Sequence, residues 1–110
     1  MSKPQITYED FAKLDLRVAT VVWARPHPNA DKLMLLEIDV GDCRKQIVAG
    51  IRPHYQPEQL VGRQIIVVNN LQEVVLRGEE SQGMLLAASD GDRIVLLQPA
   101  EPCPPGSVVK

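Results

Sequence analysis

The sequence predicts an all-β protein: a small Greek-key β-barrel with a short N-terminal helix, one short helix after the third strand, and C-terminal extension strands. Three observations point there. The aromatics are few (Tyr8, Phe11, Trp23 and Tyr55), so the core must be built mainly from Val, Ile and Leu, which favours strands over helices. Hydrophobicity alternates with period two along an unusually long first segment, Leu14 to Arg25. Short apolar runs then recur between turn signals, as they do in compact barrels.

Each element has its own local reason. Residues to Gln5 form an extended lead. Tyr8-Glu-Asp-Phe-Ala-Lys offers one or two helical turns, with Thr7 as N-cap and acidic residues in the first turn. Asp10, three residues after Thr7, makes a loose capping box, and Phe11 and Leu14 are expected to plug one end of the core. From Asp15 to Ala24 the chain alternates, with Leu14, Leu16, Val18, Thr20, Val22 and Ala24 on one face and Ala19, Val21 and Trp23 on the other. A strand of that length must bend to serve a small barrel, and Pro26 and Pro28 end it. Leu33–Val40 is a second strand, with Met34, Leu36, Ile38 and Val40 inward. Gly41-Asp42 turns the chain into a third, Cys43–Ala49. Pro57-Glu-Gln-Leu-Val starts a short helix with proline in its first turn, and Gly62 closes it. Gln64–Asn69 is the fourth strand, and Met84–Ala88 with Arg93–Leu97 is a second hairpin across Ser89–Asp92. The Pro-rich tail ends in Ser-Val-Val-Lys, read as a last edge strand. This is the pattern of an oligonucleotide/oligosaccharide-binding (OB) barrel.

A chain of 110 residues predicts a single domain, residues 1–110. A net charge of −2 lowers the expectation of a strongly basic nucleic-acid binder, although a clustered basic face can exist on an acidic protein. Cys43 and Cys103 stand far apart and suggest no disulfide framework, which fits a reducing cytosol. No apolar stretch reaches membrane length and no signal-peptide core is seen, so a cytoplasmic protein without membrane contact is expected. Enzyme chemistry finds no footing. His27 and His54 adjoin prolines in loops and read as ordinary surface residues, no metal-ligand spacing occurs, and no phosphate loop or nucleophile elbow is present. Neither catalysis nor a cofactor is expected.

The stretch that organises the chain is Asn69–Met84. It joins two core strands and carries one base (Arg77), two glycines, and the polar pair Ser81 and Gln82. By itself it reads as a solvated connection, or as binding residues mounted at the rim of a sheet.

The order of motifs narrows this. Phe11-Ala-Lys-Leu-Asp-Leu-Arg-Val18, Ala30-Asp-Lys-Leu33, Val48-Ala-Gly-Ile51, Asn70-Leu71, Arg77-Gly78 with Ser81-Gln-Gly-Met84, and Pro105-Gly106 occur in sequence. Across residues 6–110 the chain closely resembles the small tRNA-binding domain found free-standing in bacteria and appended to methionyl-tRNA synthetases. Synthetase-associated factors of eukaryotes and some phenylalanyl synthetase β subunits carry relatives. The resemblance implies an OB barrel and a homodimer built through the added segments. It also implies binding of tRNA by shape at the outer corner of the L, with an aminoacyl-tRNA synthetase as a possible partner.

Carried over residue by residue, the resemblance assigns Lys32 and Arg77 to phosphates. Asn70, Ser81 and Gln82 go to backbone or 2′-hydroxyl oxygens, and Met84 packs beneath a sugar or base or else fills the core. Arg17 is either a structural ion pair with Asp15 or a phosphate contact. Two positions depart from the family: Glu73 and Val75 stand where proline and a base are usual, and Glu79 and Glu80 follow. Binding weaker than in a typical member is therefore expected, leaning on Lys32, Arg44, Lys45 and Arg52. The strongest rival is a sister family, the dimeric secretion-associated chaperones, whose groove takes peptide. The ending Ile94-Val-Leu-Leu-Gln-Pro is similar to theirs, whereas Ala30-Asp-Lys-Leu33 and Ser81-Gln-Gly-Met84 match the tRNA-binding branch. A third reading makes the domain mainly a dimerising or synthetase-docking module.

Overall fold

A computed structural model describes residues 2–110. After a short helix α1 (Tyr8–Ala12) come three strands, β1 (Leu16–Pro26), β2 (Met34–Asp39) and β3 (Arg44–Ala49). Helix α2 (Pro57–Leu60) leads to β4 (Gln64–Val68) and then to short strands β5 (Val74–Leu76), β6 (Glu79–Ser81) and β7 (Met84–Leu85). The chain ends with β8 (Ala87–Asp90), β9 (Arg93–Leu96) and β10 (Val108–Val109). The main sheet runs β3-β2-β1-β4-β7 with β10 beside β1, all antiparallel, and two hairpins, β5-β6 and β8-β9, stand off it. This is the expected all-β OB barrel.

The long first strand does serve two halves of the sheet. Leu16–Thr20 pairs with β4, and Thr20–Pro26 pairs with β2. A bulge between Val21 and Trp23 separates the two halves. An extra residue at that point bends the strand and changes which parity faces inward. Ala19 and Val21 therefore lie in the core before the bulge and Ala24 packs on it afterwards, so neither uninterrupted face of the period-two reading survives. Leu16 and Val18 are also buried, on the side where the C-terminal tail returns.

The inward face of β2 is as expected: Met34, Leu36 and Ile38 join Ile47, Ile65 and Leu60 in one fully buried cluster. Leu60 reaches it from α2, which begins with Pro57 and is capped by the Gln56 N–H donating to Gln59 Oε1 at 2.7 Å. The first helix behaves otherwise. Thr7 caps it as expected, its Oγ1 accepting from Asp10 N at 3.1 Å, but α1 buries none of its residues. Phe11 is only half-buried and Leu14 is 46% exposed, so neither plugs the core. A helix of one turn lying outside the barrel cannot reach in, and its ring contact is local, Tyr8 against Phe11.

The Pro-rich tail is stitched to the barrel. Gly106 N donates to Val18 O at 2.7 Å and Val18 N to Ser107 O at 2.9 Å, after which β10 continues beside Leu16 and Arg17. The approach requires glycine. A Cβ on Gly106, whose φ is +89°, would sit 2.5 Å from the Val40 carbonyl oxygen. Facing it, Gly41 has φ of +101° and 2.8 Å to Pro105 O. Both backbones would have to move for any side chain to fit, with left-handed strain added. Replacing Gly106 by Ala is expected to cost about 2 kcal/mol or more in urea unfolding, whereas Gly91→Ala, at an open turn, should cost clearly less.

Candidate nucleic-acid interface

The stretch from Asn69 to Met84 is more than a connection. Val74–Leu76 and Glu79–Ser81 pair as a tight hairpin with Arg77 and Gly78 at its tip. Both tip residues have positive φ, +55° for Arg77 and +92° for Gly78, the arrangement of a type I′ turn. Arg77 is the one described non-glycine residue at positive φ, a conformation that costs about 1 kcal/mol. The strain sits under an exposed cation, where function commonly holds it.

Two of the polar candidates are spent closing the barrel. Gln82 N donates to Gln46 O at 2.9 Å and Gln82 Oε1 accepts from Gln46 N at 3.1 Å, so one glutamine serves as a piece of strand beside β3. Ser81 is buried, its Oγ accepting from Val48 N at 2.9 Å and donating to Gly83 O at 3.0 Å. Asn70 is likewise engaged, accepting from Asp15 N at 2.9 Å and donating to Lys13 O at 2.7 Å. It fixes the entry into β1.

The basic candidates divide sharply. Arg17 pairs with Asp15 at 3.1 Å and reaches Asp42 at 3.5 Å and the Val40 carbonyl, which settles it in an ion-pair network. Lys45 donates to Asn69 O at 2.9 Å, and Arg44 lies 3.7 Å from Glu37. Arg52 holds the β1–β2 loop, donating to Ala30 O at 3.1 Å and His27 O at 3.4 Å. Lys32, on that loop, and Arg77 are exposed, and among the described residues they have no ion pair or side-chain hydrogen bond. Met84 is 46% exposed, so it is not a core residue. With Leu71, Val74 and Val75 it forms the apolar part of this region.

The charges around Arg77 are unfavourable to an anion. A hydrogen bond to the Glu73 side chain, and then its charge, push the Glu80 carboxyl above the usual range. Gln46 Nε2 donates to Glu79 Oε1 at 3.3 Å.

A family model described as "Putative tRNA binding domain" matches residues 16–108. The chain belongs to this tRNA-binding domain family. A methionine–tRNA ligase of Thermotoga maritima is 53% identical over 104 residues, covering 94% of this chain and 16% of the ligase. The chain thus spans a small fraction of that relative's length. Among solved structures, a MetRS related protein from Pyrococcus horikoshii superposes with a TM-score of 0.92 at 33% identity, covering 98% of this chain and 100% of that one. Chaperone CsaA from Bacillus anthracis gives 0.88 at 36% identity, covering 97% and 100%.

One member of the site in this tRNA-binding-family domain escaped the sequence. His27, expected at the surface, is 2% exposed. Its Nδ1 accepts from Asn29 N at 2.9 Å and its Nε2 faces Leu76 O at 2.9 Å. Its place directly before Pro28 in the loop was visible; its partner on a hairpin 49 residues away was not.

The network at the start of β1 carries a pH signature. Hydrogen bonds from the Asn69 side chain and then from Arg17 hold the Asp15 carboxyl below the usual aspartate range. A depressed folded-state value stabilises the fold above the unfolded value, about 3.9, and that stabilisation fades as pH falls through the folded one. Asp15→Asn should therefore be less stable than the parent at pH 7. The two urea midpoints should converge as pH falls through the lowered folded-state value and the parent carboxyl becomes protonated.

Proposed function

We propose that this domain binds tRNA by shape, without strong choice of sequence and without catalysis, as a cytoplasmic homodimer that stands alone or is appended to a synthetase. The family match over residues 16–108 carries the reading. The geometry supports a particular version of it. Lys32 and Arg77 are the unspent cations of the site and would take phosphates, while Met84 would lie under a sugar or base. Asn70, Ser81 and Gln82 would contribute through the backbone they hold in place. Arg17, Arg44, Lys45 and Arg52 would act mainly as braces.

Dimerisation has its own support. Ile6 (68% exposed), Tyr8 (72%) and Val108 (65%) leave apolar surface open on the N-terminal lead, α1 and the β10 edge. A second copy covering that strip would remove it from water and give one tRNA two linked sites.

A rival occupant is favoured by one observation. The outward face of β5-β6 pairs Val75, 66% exposed, with Glu80, beside Glu73, and such an acidic, apolar surface suits a basic peptide. The test is a titration of the protein with labelled tRNA, an unstructured RNA and a basic unfolded peptide at two salt concentrations. Tighter binding to tRNA than to the unstructured strand, weakened by salt, is expected. Lys32→Ala with Arg77→Ala should flatten the log–log salt slope by about 1.4–1.8 units, near 0.7–0.9 per lost phosphate contact. Glu73→Gln should strengthen binding, and lowering pH through the raised Glu80 value should do the same, because each removes negative charge from the site. A preference for peptide, or no RNA binding at low salt, would favour the chaperone reading.

A further inference from the structure

His27 occupies a position that the tRNA-binding reading does not by itself explain. Four of its groups are hydrogen-bonded: its N–H, its carbonyl and both ring nitrogens. Its backbone N–H donates to Leu33 O at 3.0 Å and closes the β1–β2 loop on itself. Its Nδ1 meets a donor, the Asn29 N–H, and so must carry no proton. Its Nε2 meets an acceptor, Leu76 O, and so must carry one. The ring is thus a neutral imidazole with the proton on Nε2, and it bridges two separate elements. An imidazolium would set a second N–H against Asn29. Arg52 adds a clasp from the far side through Ala30 O and His27 O.

The bridge lies where the free cations are. Lys32 is the neighbour of Leu33 and Arg77 the neighbour of Leu76, so each stands one residue from a carbonyl that accepts from His27. A histidine that merely filled space would not need both ring nitrogens matched to backbone groups of two segments. Loops that are held in their bound arrangement before contact lose less freedom on binding.

We propose that His27 is a positioning residue for RNA binding: it latches the Lys32 loop to the Arg77 hairpin so that the two cations meet the phosphate backbone as one preformed unit. This rests on the tRNA reading given above. Two substitutions separate the halves of the latch. In His27→Asn the side-chain oxygen stands where Nδ1 was and still accepts from Asn29, but the amide is too short for Leu76. In His27→Gln the terminal amide reaches Leu76 and the bond within the loop is lost.

The experiment has two parts. In the free protein, ¹⁵N NMR of the ring should show the Nε2–H tautomer. Amide exchange at Arg77 and Gly78 should rise in His27→Asn and stay near the parent rate in His27→Gln. In the tRNA titration, His27→Asn should bind about tenfold more weakly while still folded, with His27→Gln within about twofold of the parent. The effects of Lys32→Ala and Arg77→Ala should be non-additive in the parent and additive in His27→Asn. An Nδ1–H ring, equal binding by the two variants, or additive effects in the parent would overturn the proposal. A parent that does not prefer tRNA overturns the functional reading and the RNA role of the latch together. The ring tautomer and the exchange pattern then still report whether the latch exists, which keeps the two failures distinct.

Discussion

A barrel built from so short a chain has to satisfy the outer edge of β3, and most of the site's character follows from how it does so. An unpaired strand edge leaves backbone donors and acceptors with no partner once it is covered. Here the chain after β6 supplies side chains as well as backbone. Ser81 Oγ takes the Val48 N–H, and Gln82 exchanges two hydrogen bonds with Gln46. The consequence reaches outward. A serine and glutamine engaged in closing the sheet hold the base of the β5-β6 hairpin against β3, beside Val48, which pairs with Leu35 of β2; both are buried outside the main cluster. The tip of the hairpin is left to carry Arg77.

The same logic sorts the charges. A cation that completes an ion pair or holds a carbonyl is unavailable without a cost, and Arg17, Lys45 and Arg52 are all committed in that way. Contact with a polyanion then falls to the few cations that fold stability does not employ. On an acidic protein, attraction for a polyanion is then sensitive to every neighbouring carboxylate, which is why Glu73 and Glu80 matter beyond their number. It also makes geometry more valuable, since two cations presented together do more than two that must be gathered at the moment of contact.

Much of the scaffold was legible in the sequence. The alternation of β2, the Thr7 cap, Pro57 at the head of α2 and the length of β1 are local features, and each corresponds to an observed element. The bulge in β1 was not legible, because Val21 and Val22 are interchangeable by hydrophobicity and only the pairing with two different strands decides which turns inward. The β5-β6 hairpin was missed because its turn is Arg-Gly, not the Asn-Gly or Asp-Gly that announces a type I′ geometry. At the site, the identity of the residues was readable and their employment was not. Asn70 and Ser81 look alike as polar loop residues, yet what each does depends on partners 55 and 33 positions away. His27 is the extreme case, since a histidine between two prolines gives no local sign of burial.

That dependence bears on how one barrel can resemble both a MetRS related protein and a chaperone. The features that hold the barrel closed, Ser81, Gln82 and the glycine contact of the tail, are indifferent to what is bound. Discrimination has to come from what the closure leaves exposed: the loop of Lys32, the tip at Arg77, and the carboxylates and valines on the hairpin's outward face. In this chain those two sets pull in opposite directions, the cations toward phosphate and the Glu73–Val75–Glu80 surface toward a basic, apolar partner. Arg77 and the carboxylates share one hairpin, so their mutual placement is fixed by β5-β6 itself, and the variable part is where the Lys32 loop stands. His27, buried where that loop meets the hairpin, is the side chain that joins the two.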